Sequence, residues 1–266
     1  MAVPSGKRLY TITGLIKGTA TLDELSTLLI HWDDKEPPVL YARRVQAEGI
    51  LTKATSKRAE DIVLESFRPW FLEPSSRAAL TLRALVKSVA ERQILKELIF
   101  LYKARTEAVL YDYVTERFWN AYNEGALYLQ MSEIKDFLQF AQQNGRVEHS
   151  WADYTRERLA YGILRALKEV GILHEEKRFL YAFAPIEINP FTVAYLAYDL
   201  HLTGLTDSAL VEHSDWQLFG MNRGRVLERL SDLGEPGGMV VQQAGSVVRI
   251  TWLYKSLDEV IHAYFG

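Results

Sequence analysis

RVEHSWADYTRERLAYGILRALKEVGIL, residues 146–173, has a partial repeat further along the chain in LVEHSDWQLFGMNRGRVLERLSDLGEP, residues 210–236. The shared Val-Glu-His-Ser tetrapeptide is weak evidence, because a long chain often repeats four residues by chance. The tails are better evidence, since the same spacing relates Leu164, Leu167, Val170 and Gly171 to Leu227, Leu230, Leu233 and Gly234. Apolar residues at every third position before a glycine are typical of a helix that packs on one side and stops at that glycine.

The elements that precede the first copy point to a compact helical unit. Residues 127–130, Leu-Tyr-Leu-Gln, form a short strand-like stretch. Ser132 is the predicted N-cap of the next helix, which should stop at Asn144-Gly145.

The first copy itself completes the pattern of a winged helix-turn-helix. Ser150 is the predicted N-cap of the longer helix, and Gly171 is predicted to end it. The carboxylate of Asp153 should interact favourably with the positive end of the helix dipole. Two apolar stretches then flank the polar turn at residues 175–178, which predicts a hairpin, the wing, that pairs with residues 127–130. The repeated tail is thus predicted to belong to a recognition helix.

The second copy predicts a similar unit with a shorter helix. Gly220, Asn222 and Gly224 should break the long helix and leave only residues 223–233. The other signals are a helix start at Asn189-Pro190, a cap at Thr206, a hairpin turn at Ala244-Gly245, and a capping box from Ser256 to Glu259.

The first hundred residues are patterned as helices. The signals are a capping box at Thr21–Glu24, a helix from Pro37-Pro38 to Gly49, a helix from Ser56 that frays near Pro69, a helical region from Pro74 to Arg105 broken near Ser88, and a helix over residues 107–122. We therefore predict a mainly α protein. An N-terminal helical domain (1–104) should precede two winged helix-turn-helix units with small β-hairpin wings (105–188 and 189–266).

Composition excludes several classes of protein. The chain has no cysteine, so disulfide scaffolds, thiolate metal sites and cysteine nucleophiles are excluded. Its first residues lack the apolar core of a signal peptide, and no apolar run is long enough to span a membrane. We expect a cytoplasmic protein with no membrane partner.

Charge is unevenly distributed along the chain. The net charge is −3, but residues 41–105 carry 13 Lys and Arg against 7 Asp and Glu. Residues 184–221 contain five acids and no Lys or Arg. Contact with a polyanion must therefore be local, and a basic segment of this kind is also common on solvated helix surfaces.

The candidate nucleic-acid-binding residues lie on the outward side of the first long helix. At 100° per residue, Leu159, Ile163 and Leu167 face the core. The opposite side carries Tyr154, Arg158, Tyr161, Arg165 and Lys168, and the turn adds Lys177 and Arg178. Arginine and tyrosine on such a face suit contact with phosphate and guanine, although the same residues favour protein interfaces. Arg158 and Arg165 are the leading candidates, and Arg156 lies on the core side.

The second unit is the weaker candidate. The outward side of its helix carries Glu228 and Asp232, which would repel phosphate. Arg223, Arg225 and Arg249 are its weaker candidates, and without them we expect a structural or partner-binding unit.

Motifs for catalysis, metals or cofactors are missing. The six histidines form neither H-x-x-x-H nor H-E-x-x-H, and no phosphate-binding glycine loop or G-x-S-x-G motif occurs. The His31-Trp-Asp-Asp34 stretch is better explained as a solvated helix end. We predict no catalytic residue, no metal and no cofactor, hence no enzyme.

The sequence resembles the BrxA family, the small accessory proteins of BREX phage-defence systems. The resemblance rests on Tyr10 to Gly18, Ser150-Trp151 with Thr155, LKEVGIL at 167–173, Trp216 to Gly220, Ala244-Gly245 followed by RITW, and Lys255-Ser256. It implies a non-enzymatic role beside the other BREX components and a mostly helical, nucleic-acid-binding fold.

The predicted function is binding of double-stranded DNA within a BREX-type defence complex. RNA is an alternative ligand, because basic helical surfaces do not distinguish the two. A protein–protein adaptor within the defence complex is the alternative class. The sequence indicates no oligomeric state.

Overall fold

A computed structural model describes residues 9–11, 14–17, 19–88, 90–185, 187–245 and 247–266. Ile12, Thr13 and Gly18, which belong to the stretch that carries the family resemblance, lie outside the described residues. The protein is mainly helical and has two small antiparallel sheets, as predicted.

Helices follow one another through the first half of the chain. They are α1 (Leu22–His31), α2 (Pro38–Ala47), α3 (Ser56–Ile62) with a π-helical continuation (Val63–Leu72), α4 (Arg77–Lys87), α5 (Arg92–Thr106), α6 (Ala108–Tyr113) with a π-helical continuation (Val114–Phe118), and α7 (Trp119–Asn123). The capping box at Thr21 and Glu24 and the break near Ser88 are confirmed.

The predicted fraying near Pro69 is wrong. The helix that begins at Ser56 runs on to Leu72 as a π-helix with Pro69 inside it. Proline lacks an N–H and crowds the carbonyl four residues earlier, and a wider π-type turn accommodates both effects.

The region before the first long helix consists of β1 (Tyr128–Gln130) and α8 (Met131–Gln143). The strand is confirmed, but the predicted cap at Ser132 is wrong, because the helix begins one residue earlier. The Glu133 carboxylate accepts a hydrogen bond from the Gln130 backbone N–H at 2.7 Å, which places the cap at Gln130.

The long helix of the first copy is α9 (Asp153–Val170). Ser150 does not cap it, since the N-cap is Ala152, which makes no side-chain capping bond. Asp153 lies in the first turn as expected, and Gly171 ends the helix in the left-handed region with φ +93°. Most residues tolerate that conformation poorly, which explains the glycine.

The first hairpin consists of β2 (Leu173–Lys177) and β3 (Leu180–Phe183), and β3 also pairs with β1, as predicted. The turn predicted at residues 175–178 is wrong, because β2 extends to Lys177 and only Arg178 and Phe179 connect the strands. Burial sets this register: Tyr181 faces the core, and a one-residue shift would expose it.

The elements of the last third of the chain follow the predicted order, but some of its helices are shorter than predicted. It contains α10 (Pro190–His201), α11 (Asp207–Val211), a 3₁₀ helix (Ser214–Phe219), α12 (Arg223–Ser231), β4 (Met239–Ala244), β5 (Val247–Trp252) and α13 (Leu257–Phe265). Caps at Asn189, Thr206 and Ser256 are confirmed. The second half of the Ser256 capping box is wrong, because the Glu259 carboxylate accepts from the Lys255 N–H at 2.9 Å.

The repeated tetrapeptide has two different structures. Its first copy lies in the turn before α9, and its second copy ends α11 and begins the 3₁₀ helix. The repeated tails do correspond, because Leu164, Leu167 and Val170 are buried, as are Leu227, Leu230 and Leu233.

The second hairpin, β4 and β5, is held to α11 by one carboxylate. Asp207 accepts from the backbone N–H of Ile250 at 2.8 Å and from the indole N–H of Trp252 at 3.3 Å. Trp252 also stacks on His201 of α10 with ring centroids 4.1 Å apart. These contacts fix the hairpin to the helices beneath it.

A buried ion-pair cluster joins the first and last parts of the chain. Arg105 of α5 donates to Asp199 of α10 at 2.7 Å and to Asp215 of the 3₁₀ helix at 2.8 Å, and Tyr111 also donates to Asp215 at 3.1 Å. Burial opposes the charged form of Arg105, but Asp215 and Asp199 outweigh this effect and raise its pKa. The guanidinium therefore stays charged, and it neutralises two carboxylates that are themselves buried.

His213 borders this cluster and caps the 3₁₀ helix with its ring. Its Nδ1 accepts from the Asp215 backbone N–H at 3.2 Å, which requires an unprotonated nitrogen. Burial lowers the pKa of His213 below its ordinary 6.5, although the nearby Asp215 opposes the effect.

Acid should therefore destabilise the protein through His213. The unfolded chain takes up a proton near pH 6.5 more readily than the folded protein, so stability present above that pH is lost as pH falls towards the folded pKa. Urea midpoints at pH 7.5 and 5.5 measure the loss. It should be smaller in His213→Asn, because asparagine can still cap the helix and does not titrate. An equal loss in both proteins would contradict the assignment.

Gly162 of α9 should be intolerant of a side chain. A Cβ there would lie 2.5 Å from the carbonyl oxygen of Leu15, so the N-terminal segment 14–17 packs against the helix backbone. We expect Gly162→Ala to lower the free energy of unfolding by about 1–3 kcal/mol in urea titrations, as overpacking does. Gly224→Ala in α12 is the control, since its nearest contact would be an ordinary 3.5 Å. Equal stability of the two variants would show that segment 14–17 is not held against α9.

Candidate nucleic-acid interface

The two sides of α9 divide as the helical spacing predicts. Leu159, Ile163 and Leu167 are fully buried. The predicted outward residues are all exposed, namely Tyr154, Arg158, Tyr161, Arg165 and Lys168. We call these five the outward face of α9, and their role in binding stays a prediction.

Arg156 has a local structural role, in line with its lower rank. Its guanidinium donates to the Trp151 carbonyl at 2.9 Å and pairs with Asp153 in the first turn. Both contacts hold the start of α9.

Arg158 is partly engaged by the N-terminal segment. One of its nitrogens donates to the Ile16 carbonyl at 3.1 Å, and its guanidinium lies over the Tyr154 ring at 5.7 Å. No local pattern in the sequence could have indicated a contact between residues so far apart. Arg158 is nevertheless exposed.

Lys168 is neutralised by the first hairpin. Its ammonium lies 2.7 Å from a Glu175 carboxylate oxygen and 5.5 Å from the centre of the Tyr181 ring. Burial, and then the charge of Glu175, raise the pKa of Tyr181. Lys168 therefore links α9 to β2, and its charge is already balanced by Glu175.

Arg165 is the freest cation of the outward face. It is exposed, and no described residue forms an ion pair with it. It lies between Tyr161 and Lys168 along the exposed side of α9.

The first hairpin carries Lys177 at the end of β2 and Arg178 in the turn, and both are exposed. Between Arg178 and β3 lies Phe179, which is exposed and has φ +68°, a conformation that is rare for bulky residues. The Arg178 guanidinium lies over its ring at 4.9 Å. Phe179 was not among the predicted site residues, because the turn was predicted one to two residues too early.

A groove separates α9 from the first hairpin, and we call it the α9–hairpin groove. Its volume is about 620 Å³. It is lined by Tyr161, Leu164, Arg165, Lys168, Glu169, Glu175, Arg178, Phe179 and Tyr181. Both of its carboxylates are paired, Glu175 with Lys168 at 2.7 Å and Glu169 with Lys103 at 3.3 Å. The groove therefore has a net positive charge, which Arg165 and Arg178 supply.

The weaker candidates of the second unit are distributed differently. Arg223 lies 3.3 Å from Glu212, and Arg225 lies 2.8 Å from Glu228. Arg249 is exposed on β5, opposite Gln242 of β4. Glu228 and Asp232 are exposed as predicted.

Several cations of the basic segment 41–105 already form ion pairs with acids that precede the segment. Arg44 pairs with Glu36 at 2.8 Å, Arg58 with Glu24 at 2.5 Å, and Arg92 with Asp23 at 2.8 Å. These pairs offset part of the segment's excess positive charge.

The described part of the chain offers neither a metal site nor a membrane span. Among these residues, no group of three or more His, Asp or Glu side chains could hold a metal ion. No described helix is long and apolar enough to cross a bilayer.

Comparison with known families identifies the lineage. The BrxA family model matches residues 10–197, which is most of the chain. The chain belongs to the BrxA family. BrxA membership associates it with BREX phage-defence systems. The search of curated proteins found no match.

A solved structure shares the fold of this chain. It is the crystal structure of an uncharacterized protein from Magnetospirillum magneticum, with a TM-score of 0.56 and 15% sequence identity. The match covers 77% of this chain and 98% of the other. At this identity the likeness concerns the fold alone.

Proposed function

We propose that this BrxA-family chain is a non-enzymatic component of a BREX defence system that binds double-stranded DNA. In this proposal α8, α9 and the first hairpin act as a winged helix-turn-helix, with α9 as the recognition helix and the hairpin as the wing. The order of helix, helix and hairpin, with β1 paired to β3, supports this reading.

The observation that carries the proposal is the free positive charge at the α9–hairpin groove. Arg165 and Arg178 line the groove, whose carboxylates are paired, and Lys177 precedes Arg178 in the chain. Cations without a carboxylate partner contribute most when a phosphate arrives, because they release counterions and break no existing ion pair. The groove is thus better suited to phosphate than the paired segment 41–105.

The second unit suits contact with protein better than contact with DNA. The outer side of its hairpin exposes Val240 and Val247, and the acids Glu228 and Asp232 lie on α12. We propose that this unit faces other components of the defence complex. An adaptor that binds no nucleic acid is the alternative for the whole chain.

Loss of the two free arginines should weaken binding of DNA regardless of its sequence. We expect Arg165→Ala with Arg178→Ala to reduce affinity and to lower the log–log salt slope by about one unit for each phosphate that the variant no longer neutralises. Fluorescence anisotropy with a DNA duplex at several salt concentrations measures both quantities. The melting temperature should change little, because exposed substitutions usually stay within about 0.5 kcal/mol each.

The control exchanges two arginines of the second unit, Arg225→Ala with Arg249→Ala. The proposal requires this variant to keep the parent's affinity and salt slope. Unchanged binding by the Arg165 and Arg178 variant would contradict the assigned interface. A parent protein that binds no duplex at low salt would support the adaptor, and tighter binding of an RNA duplex than of DNA would support the RNA alternative.

A further inference from the structure

The α9–hairpin groove has aromatic walls, which contact with phosphates does not require. Tyr161 and Phe179 are 42% and 43% exposed, and Tyr181 lies at the base. Large exposed rings are unfavourable in water, and rings interleaved with arginines are typical of surfaces that stack unpaired bases.

Phe179 occupies a position where a smaller residue would serve the turn better. Its φ of +68° favours glycine or asparagine, and its exposed ring lies under the Arg178 guanidinium. Strained residues of this kind are concentrated at ligand sites. The turn therefore presents an aromatic ring at the mouth of the groove at a cost in backbone conformation.

The dimensions of the groove limit what can enter it. A volume of about 620 Å³ lies within the range of small-ligand pockets, about 300–1,000 Å³. It can receive a nucleotide but cannot enclose the body of a duplex. The Arg178 guanidinium over Phe179 shows that a flat group already fits against this ring.

We propose that the α9–hairpin groove receives an unpaired base of the DNA, which stacks on Phe179 while Arg165 and Arg178 contact the neighbouring phosphates. This inference rests on the proposed function and specifies its substrate. The protein then prefers DNA that contains an unpaired nucleotide, at a bulge or a bubble, over the fully paired duplex. Stacking supplies this preference because every base offers a flat face, so it is independent of sequence.

Three probes of one sequence test the proposal with the full chain. They are a paired duplex, the same duplex with one extra 2-aminopurine nucleotide as a bulge, and the single strand that carries it. The parent should bind the bulged duplex on the order of tenfold more tightly than the paired one, the usual scale of one stacked base. The 2-aminopurine fluorescence should be quenched on binding, because the base stacks on a ring.

Three substitutions at Phe179 separate stacking from folding. Phe179→Ala should remove the preference and the quench but keep the affinity for the paired duplex, whereas Phe179→Trp should keep all three. Phe179→Gly should behave as Phe179→Ala, and glycine suits the positive φ, so it guards against a variant that fails to fold.

Phe140 provides the matched control. It is another exposed phenylalanine under an arginine, with Arg117 at 5.7 Å, and it lies on α8 outside the groove. Phe140→Ala should keep the preference and the quench. A preference lost equally in both alanine variants would overturn the proposal.

The outcomes separate this inference from the proposed function. Equal affinity of the parent for paired and bulged duplexes, both sensitive to Arg165→Ala with Arg178→Ala, would overturn the stacking proposal and leave DNA binding in place. A preference that survives Phe179→Ala would also overturn it. Absence of salt-dependent binding to any of the probes would overturn both.

Discussion

The contact between Arg105 and the carboxylates of Asp199 and Asp215 determines how the two ends of the chain fit together. Residues 184–221 have five acids and no cation of their own, and two of the acids are buried. A buried carboxylate without a partner is very unfavourable, so the charge has to come from elsewhere in the chain. Helix α5 supplies it, and it must therefore lie against α10 and the 3₁₀ helix.

The position of α5 in turn orients α9. Gln93 donates to the Val170 carbonyl at 3.0 Å, and Lys103 reaches Glu169 at 3.3 Å, so the last turn of α9 is fixed from its inner side. Segment 14–17 holds the middle of the helix through Gly162 and Arg158. With these sides covered, the surface that carries Tyr161 and Arg165 remains exposed beside the first hairpin.

Local pattern was sufficient for the order of most elements and for which side of α9 is buried. Apolar spacing identified Leu159, Ile163 and Leu167 as core, and Gly171 marked the helix end, because both depend on short stretches of chain. The caps at Ser132 and Ser150 were wrong because the N-cap depends on a backbone geometry that neighbouring segments impose. The contacts of Arg158 with Ile16 and of Lys168 with Glu175 could not be predicted from local pattern, because they join residues from different elements. The fold therefore determines which cations have no carboxylate partner. For this reason Arg178 is now a stronger candidate for phosphate contact than the sequence indicated, and Arg158 is a weaker one.

The carboxylate of Asp207 has a consequence for the behaviour of the protein in concentrated solution. A hairpin of two strands has open edges, and an open edge can pair with a strand from another molecule and start aggregation. The Asp207 carboxylate accepts a hydrogen bond from the backbone N–H of Ile250, which does not pair with β4, and another from the indole N–H of Trp252. A foreign strand would have to displace a charged acceptor to add at that edge of β5. The second hairpin can thus expose the side chains of Val240 and Val247 while the backbone of β5 is already occupied by a charged acceptor at Ile250.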